Sequence, residues 1–138
     1  MTSTINWGII AYRDESPINL PKTQHWWKTP NCTPSLPVLS EKTTAFANQY
    51  HAPHVFGSYE EMTNCPDLDI VYIASPHVGH HPHALLFLKN KIPVYYCEKP
   101  LATNTKGQVK EMIETARRNN TFLMEAIWTR FIPVLQKL

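Results

Sequence analysis

No glycine occurs between Gly8 and Gly57, while five of the chain's twelve prolines fall between Pro17 and Pro37. Nothing else in the 138 residues constrains folding as strongly. Each proline removes a backbone donor and pushes the residue before it away from the helical region. Within this stretch, Tyr12–Pro17 and Lys22–Pro30 match neither a two-residue nor a 3.6-residue apolar period. Residues 12–39 are therefore expected to be an irregular, Pro-rich segment, an unusual length of structureless chain for a compact domain.

Order is legible on both sides of that segment. Ile5-Asn6-Trp7-Gly8-Ile9-Ile10-Ala11 reads as a buried strand. From Ser40 onward, helix and strand signals alternate. Ser40 is the expected N-cap of a helix carrying Ala45, Phe46 and Tyr50. His54–Phe56 is an expected short strand, and Ser58-Tyr59-Glu60-Glu61 an expected capping box ahead of a helix ending near Asn64. Asp69–Ala74 is β-branched and apolar on both faces, as a central parallel strand should be. A helix over His80–Asn90, a strand over Ile92–Cys97, and a helix capped by Thr103 follow. Val109, Met112, Ile113 and Ala116 supply the apolar face of that last helix. Thr121–Ala126 is one more strand, and Trp128–Leu138 is expected to begin a helix. Such alternation implies one α/β domain over residues 1–138, a doubly wound parallel sheet with right-handed crossovers.

Thirteen Lys and Arg against eleven Asp and Glu leave a net charge of +2. That balance excludes the basic stripe of a usual nucleic-acid binder. No apolar run approaches the roughly 18 residues of a membrane span. Met1–Asn6 has neither the basic start nor the apolar stretch of a secretion signal, so a cytoplasmic location is expected. Cys32, Cys65 and Cys97 are odd in number and lack any CxxC pair, which points to reduced thiols rather than disulfides or structural zinc.

In open parallel sheets, ligands bind beyond the carboxyl ends of the strands. Ser75–His80 and Glu98–Leu101 occupy that position here. A lysine directly after a buried strand is rigidly placed, and Lys99 could donate to a hydroxyl or stabilise a developing alkoxide. The plainer alternative is a solvated lysine paired with Glu98. His77, His80, His81 and His83 cluster, but a helix start sends them in different directions without a carboxylate or thiol to complete a site, so no metal is expected. A dinucleotide domain needs glycines after its first strand, so that main chain can approach the diphosphate. Ala11-Tyr12-Arg13-Asp14-Glu15-Ser16 has none, and Asp14 and Glu15 would repel phosphate. The residues describe the sheet of a nucleotide binder without its anion site.

Trp7-Gly8-Ile9-Ile10, Phe56-Gly57-Ser58-Tyr59-Glu60-Glu61 and Asp69–His77 together resemble the N-terminal domain of the Gfo/Idh/MocA oxidoreductases. Cys97-Glu98-Lys99-Pro100-Leu101-Ala102 resembles that family's EKP signature. Met124-Glu125-Ala126-Ile127-Trp128-Thr129-Arg130-Phe131 narrows the resemblance to the branch of dihydrodiol and D-xylose dehydrogenases. The resemblance covers roughly residues 4–11 and 40–138. It implies a Rossmann-like fold and hydride transfer between NADP and a sugar or trans-dihydrodiol. Lys99 would orient or polarise the reacting hydroxyl. Ser75, Pro76, His77 and His80 would lie against the cofactor, with Glu98 and Lys99 at its nicotinamide end, and Trp128 and Arg130 nearby.

Two departures from the family shape the remaining expectations. The glycine-rich turn, the first helix and most of the second strand should occupy residues 11–39, where none is recognisable. The chain also ends where the family's α+β substrate domain, with its dimer surface, should begin. The sheet is thus expected to be incomplete and the chain an inactive fragment. Family-like sequence resumes abruptly at both edges of the odd segment, as after a reading-frame error or a mis-joined exon; translation of the other two frames should then recover a glycine-rich helix-forming stretch. A non-enzymatic interaction protein is the other reading, with Trp26-Trp27 as its exposed recognition segment.

Overall fold

The computed structural model describes residues 5–11, 32–35, 48, 54–104 and 106–134. Five parallel strands form one sheet: β1 (Trp7–Ala11), β2 (Cys32–Ser35), β3 (Ile70–Ala74), β4 (Val94–Cys97) and β5 (Leu123–Glu125). Their spatial order is β2-β1-β3-β4-β5. The chain moves one way from β1 to β2 and the other way from β3 onward, so the sheet has a switch point between β1 and β3. Those two strands run level, from Trp7 beside Ile70 to Ala11 beside Ala74. The described helices are α1 (Tyr59–Thr63), α2 (His77–Lys89) and α3 (Gly107–Arg118), followed by a 3-10 turn at Trp128–Phe131. Among the described residues, no helix is long and apolar enough to cross a membrane.

β3 is central because its sequence has no polar face to show to water, and Val71 and Ile73 are fully buried. They meet Ile10, Val94 and Cys97 of the sheet, Ala84, Phe87 and Leu88 of α2, Met112 and Ala116 of α3, and Met62 of α1. Gly8 has a packing reason. A Cβ there would stand 1.9 Å from Met62 Cε and 2.8 Å from Leu68 Cδ1. Only a bare backbone lets the α1 side chain reach β1.

Several local expectations are corrected. Cys32–Ser35 lies in the stretch that reads as structureless, yet it is a strand beside β1, with Pro34 paired to Ile9. A proline is tolerated there because β2 is an edge strand with only one neighbour to satisfy. His54–Phe56 forms no strand. At α1, the Glu61 amide donates to Ser58 Oγ at 3.1 Å as expected, but the Glu61 carboxylate accepts from the Gly57 amide at 2.7 Å rather than from Ser58. Helix α2 begins at His77, three residues early, which makes Pro82 an interior residue. Thr103 does not cap α3. Asn104 Oδ1 accepts from the Gly107 amide at 3.4 Å, while Gln108 Oε1 accepts from the Asn104 amide at 2.9 Å. The expected helix from Trp128 is a single 3-10 turn as far as residue 134, and its last four residues lie outside the described ones. The expected helix after Ser40 lies outside the described residues, apart from Asn48, which is helical. Trp26-Trp27 and the 11–16 turn beyond Ala11 lie outside them too.

Candidate functional site at the carboxyl ends of the strands

The loops after β3 and β4 meet above the switch point, because the sheet continues one residue past its ladder. The Glu98 amide donates to the Ile73 carbonyl at 2.9 Å, and the Ala126 amide donates to the Cys97 carbonyl at 2.8 Å. β3, the EKP segment and the end of β5 are thereby held in register. Glu125 adds a side-chain tie by accepting from the Leu101 amide at 2.8 Å. Its only sequence signal is a carboxylate at the end of an otherwise apolar strand, which does not reveal a partner in another loop.

Lys99 is exposed at the tip of this assembly, in a peptide that is cis to Pro100. The pairing with Glu98 that would have made it an ordinary surface lysine is not formed. Among the described residues the ion pairs are His81–Glu111 and Lys110–Glu114. The Glu98 carboxylate instead accepts from the Tyr72 hydroxyl at 2.5 Å. Burial, then the bond to Glu98 and its charge, raise the Tyr72 phenol far above its ordinary range, so it remains a donor. Burial, with Glu125 and Glu98 adding repulsion, pushes the Cys97 thiol up to about 12. Cys97 is therefore a neutral core residue and no nucleophile.

The β3 loop is arranged differently. Pro76 and His77 are exposed at the start of α2. Ser75 is buried, and its hydroxyl lies 2.9 Å from His83 Nδ1. The His83 ring stacks obliquely on Tyr59, with centroids 4.2 Å apart. Burial first, then repulsion from His80, hold the His83 imidazole below its ordinary value, against a weaker pull from Glu60.

His80 is fully buried, with Nδ1 2.7 Å from the Pro100 carbonyl and Nε2 2.7 Å from the Ser75 carbonyl. Both ring nitrogens are engaged by the two loops themselves. The four histidines diverge. His77 faces solvent, His80 the loop junction, His81 reaches Glu111 at 2.8 Å, and His83 reaches Ser75. Among the described residues, no group of three or more His, Cys, Asp or Glu is disposed to hold a metal ion. Arg130 is exposed in the 3-10 turn after β5, and Trp128 opens that turn.

For a dinucleotide, the fit is divided. At the β3 and β4 ends, an exposed ammonium and an exposed helix start face outward. After β1, residues 12–16 include Asp14 and Glu15 and no glycine, and they lie outside the described residues. Neither described glycine near these loops supplies the bare amides that a diphosphate needs. A Cβ on Gly8 would meet Met62, and a Cβ on Gly79 would meet His83.

The oxidoreductase family model with an NAD-binding Rossmann fold, Gfo/Idh/MocA, matches residues 21–127. The trans-1,2-dihydrobenzene-1,2-diol dehydrogenase of Xenopus tropicalis is 45% identical over 98 residues, covering 71% of this chain and 29% of that protein. The Danio rerio protein of the same name is 49% identical over 88 residues, covering 64% of this chain and 26% of that one. The chain thus spans less than a third of these relatives' length. Among solved structures, a Gfo/Idh/MocA family oxidoreductase from Vibrio cholerae superposes with a TM-score of 0.79 at 20% identity, over 96% of this chain and 42% of that one. A myo-inositol dehydrogenase from Lactobacillus casei, in complex with NAD(H) and myo-inositol, gives 0.78 at 15% identity, over 98% and 40%. With parallel strands ordered around a switch point and an EKP segment at their carboxyl edge, this chain belongs to the Gfo/Idh/MocA oxidoreductase family.

Proposed function

We propose that these residues are the cofactor-side half of an NADP-dependent oxidoreductase acting on a sugar or trans-dihydrodiol hydroxyl, and that the chain as it stands binds its cofactor weakly. The observation that carries the reading is the solvent-facing Lys99 at the rigid end of β4, without an ion pair among the described residues, with its neighbour Glu98 already engaged by Tyr72. The cofactor, when bound, would supply the hydride chemistry. Lys99 would donate a hydrogen bond from its ammonium to the substrate oxygen and stabilise negative charge as it develops there. Its freedom from Glu98 leaves all three ammonium donors for that task. Pro76, His77 and the 98–99 backbone would form the wall on which the nicotinamide end rests, and Arg130 and Trp128 would flank it. Weak binding follows from the acidic, glycine-free stretch after β1. The resemblance of this chain to dihydrodiol dehydrogenases supports the substrate class.

The test is a fluorescence titration with NADPH and NADH, on the chain itself and on Asp14→Gly/Glu15→Gly. Removing two like charges and two side chains from the diphosphate's place should tighten NADPH binding by about tenfold or more, one decade being about 1.4 kcal/mol. Tight saturable binding by the unaltered chain would overturn the weak-binding claim. Absence of any binding by the glycine variant would overturn the oxidoreductase reading.

A further inference from the structure

Neither ring nitrogen of His80 has a donor as its hydrogen-bond partner. Its two ring nitrogens each stand 2.7 Å from a backbone carbonyl oxygen, that of Pro100 on one side and that of Ser75 on the other. A carbonyl only accepts, so each contact is a hydrogen bond only if the nitrogen carries a proton. A neutral ring has one such proton. Its other nitrogen would then set a lone pair against an oxygen lone pair, with the ring itself fully buried and the Pro100 contact part-buried. Burial disfavours a charge, but two short charge-assisted bonds oppose that cost. The surrounding groups are compatible with a cation. His77 presents its ring edge-on with centroids 5.5 Å apart, and His83 turns to Ser75. From β4 come the neutral Cys97 and the Glu98 carboxylate, with Lys99 facing solvent; from β5, Glu125 holds the amide of Leu101, one residue past the Pro100 carbonyl.

We infer that His80 is doubly protonated and acts as a positioning residue, an imidazolium clasp that ties the end of β3 to the Lys99–Pro100 segment and so sets where the Lys99 ammonium stands. The consequence for cofactor binding rests on the function proposed above, whereas the protonation state does not. The clasp joins two segments 25 residues apart in number, Ser75 and Pro100, at a place where neither belongs to a helix or strand ladder. Glu125 is its counterpart on the other side, bonding the next amide from β5.

The direct experiment is nitrogen-15 NMR of the histidine rings in the unaltered full chain at neutral pH. Both His80 nitrogens should show the protonated signature and scalar coupling to the two carbonyls; a neutral tautomer would overturn the inference. In His80→Leu, which removes both donors while keeping an apolar filling, exchange of the Leu101 amide should quicken by about tenfold or more, since an unmet buried carbonyl is costly. Amides of α3 should keep their protection. Loss of protection throughout the domain would mean a merely structural role and would overturn the positioning claim. If the ring signature holds but neither chain, nor the glycine variant above, binds NADPH, the functional reading fails while the clasp stands.

Discussion

The two halves of the sheet are built on different principles. From β3 onward, β3 and β4 are each followed by a helix that packs its apolar residues on the sheet, and Val71, Ile73, Phe87, Leu88, Val94 and Met112 are buried together. At the other edge, β2 is four residues long, contains a proline, and is held by its pairing to β1. The first half folds around a core of its own residues; the second is a strand that exists because a neighbour offers it a ladder. The difference teaches that the described core of this chain sits on the β3–β5 side of the sheet. The site follows the same division. Its lysine, its clasp and its ties lie on the β3–β5 half, and its missing glycines lie beyond β1.

The largest test of this contrast is a proline exchanged between the two halves. Ile73 is fully buried, pairs with Ile10 on one side and Cys97 on the other, and accepts from the Glu98 amide. Ile73→Pro removes a ladder donor in the middle of the sheet and a core side chain whose truncation alone costs about 2–5 kcal/mol. Set against a total stability of about 5–15 kcal/mol, this is expected to prevent folding. Circular dichroism and the dispersion of amide resonances would show it; a native-like spectrum would mean that the β3 half is not the core.

Gly8→Ala probes the seam between the halves. The new methyl group would fall within contact of Met62, Leu68 and Val71. Met62 Cε is the end of a flexible side chain, but it is fully buried and has no free space to enter. Overpacking of this kind costs about 1–3 kcal/mol, read as a shift in the urea midpoint. Adding Met62→Ala should recover part of the loss, because the two changes share one volume. If Gly8→Ala is neutral on its own, β1 is less firmly docked than its register with β3 implies.

Reading these halves from sequence alone succeeds and fails for the same physical reason. Val109, Met112 and Ala116 announce α3 because a helix that packs on a sheet must carry its own apolar stripe. Asp69–Ala74 announces β3 because a strand buried on both faces must be apolar on both. Cys32-Thr33-Pro34-Ser35 announces nothing, since an edge strand is specified by its partner rather than by its own pattern. At the site, the EKP segment and the strand-end position of Ser75–His80 were legible from residue order. The Tyr72–Glu98 bond, the Glu125 tie and the two carbonyls around His80 were not, because each joins residues from separate elements and depends on side-chain direction. Thr103 misleads as a cap for a smaller reason: the helix begins later, at Gly107, whose amide is met by Asn104.

A pH dependence is expected to belong to the β3–α2 junction. His83 is held neutral by burial and by repulsion from His80, so its folded value lies below that of the unfolded chain. Between those two values the unfolded state binds more protons, and stability must rise with pH. The sign is therefore loss of stability on acidification through and below the ordinary imidazole value of about 6.5. Urea midpoints measured across that interval should fall toward acid, and His83→Gln should flatten the fall. An unchanged slope in the variant would move the sensitivity to another group.

Pro34→Val is the smallest expected effect and completes the contrast. At β2 the substitution restores a donor and a strand-favouring side chain at a position with one neighbouring strand among the described residues. The change in stability should stay within about 0.5–1 kcal/mol, the span that strand propensities cover. The same change should make the edge stickier, because a proline in the end strand of the sheet opposes pairing with a second chain. Sedimentation or light scattering at rising concentration would then show more self-association than in the unaltered chain. Equal scattering, together with a destabilisation as large as that of Gly8→Ala, would mean that β2 contributes to the core and that the division between the halves is drawn in the wrong place.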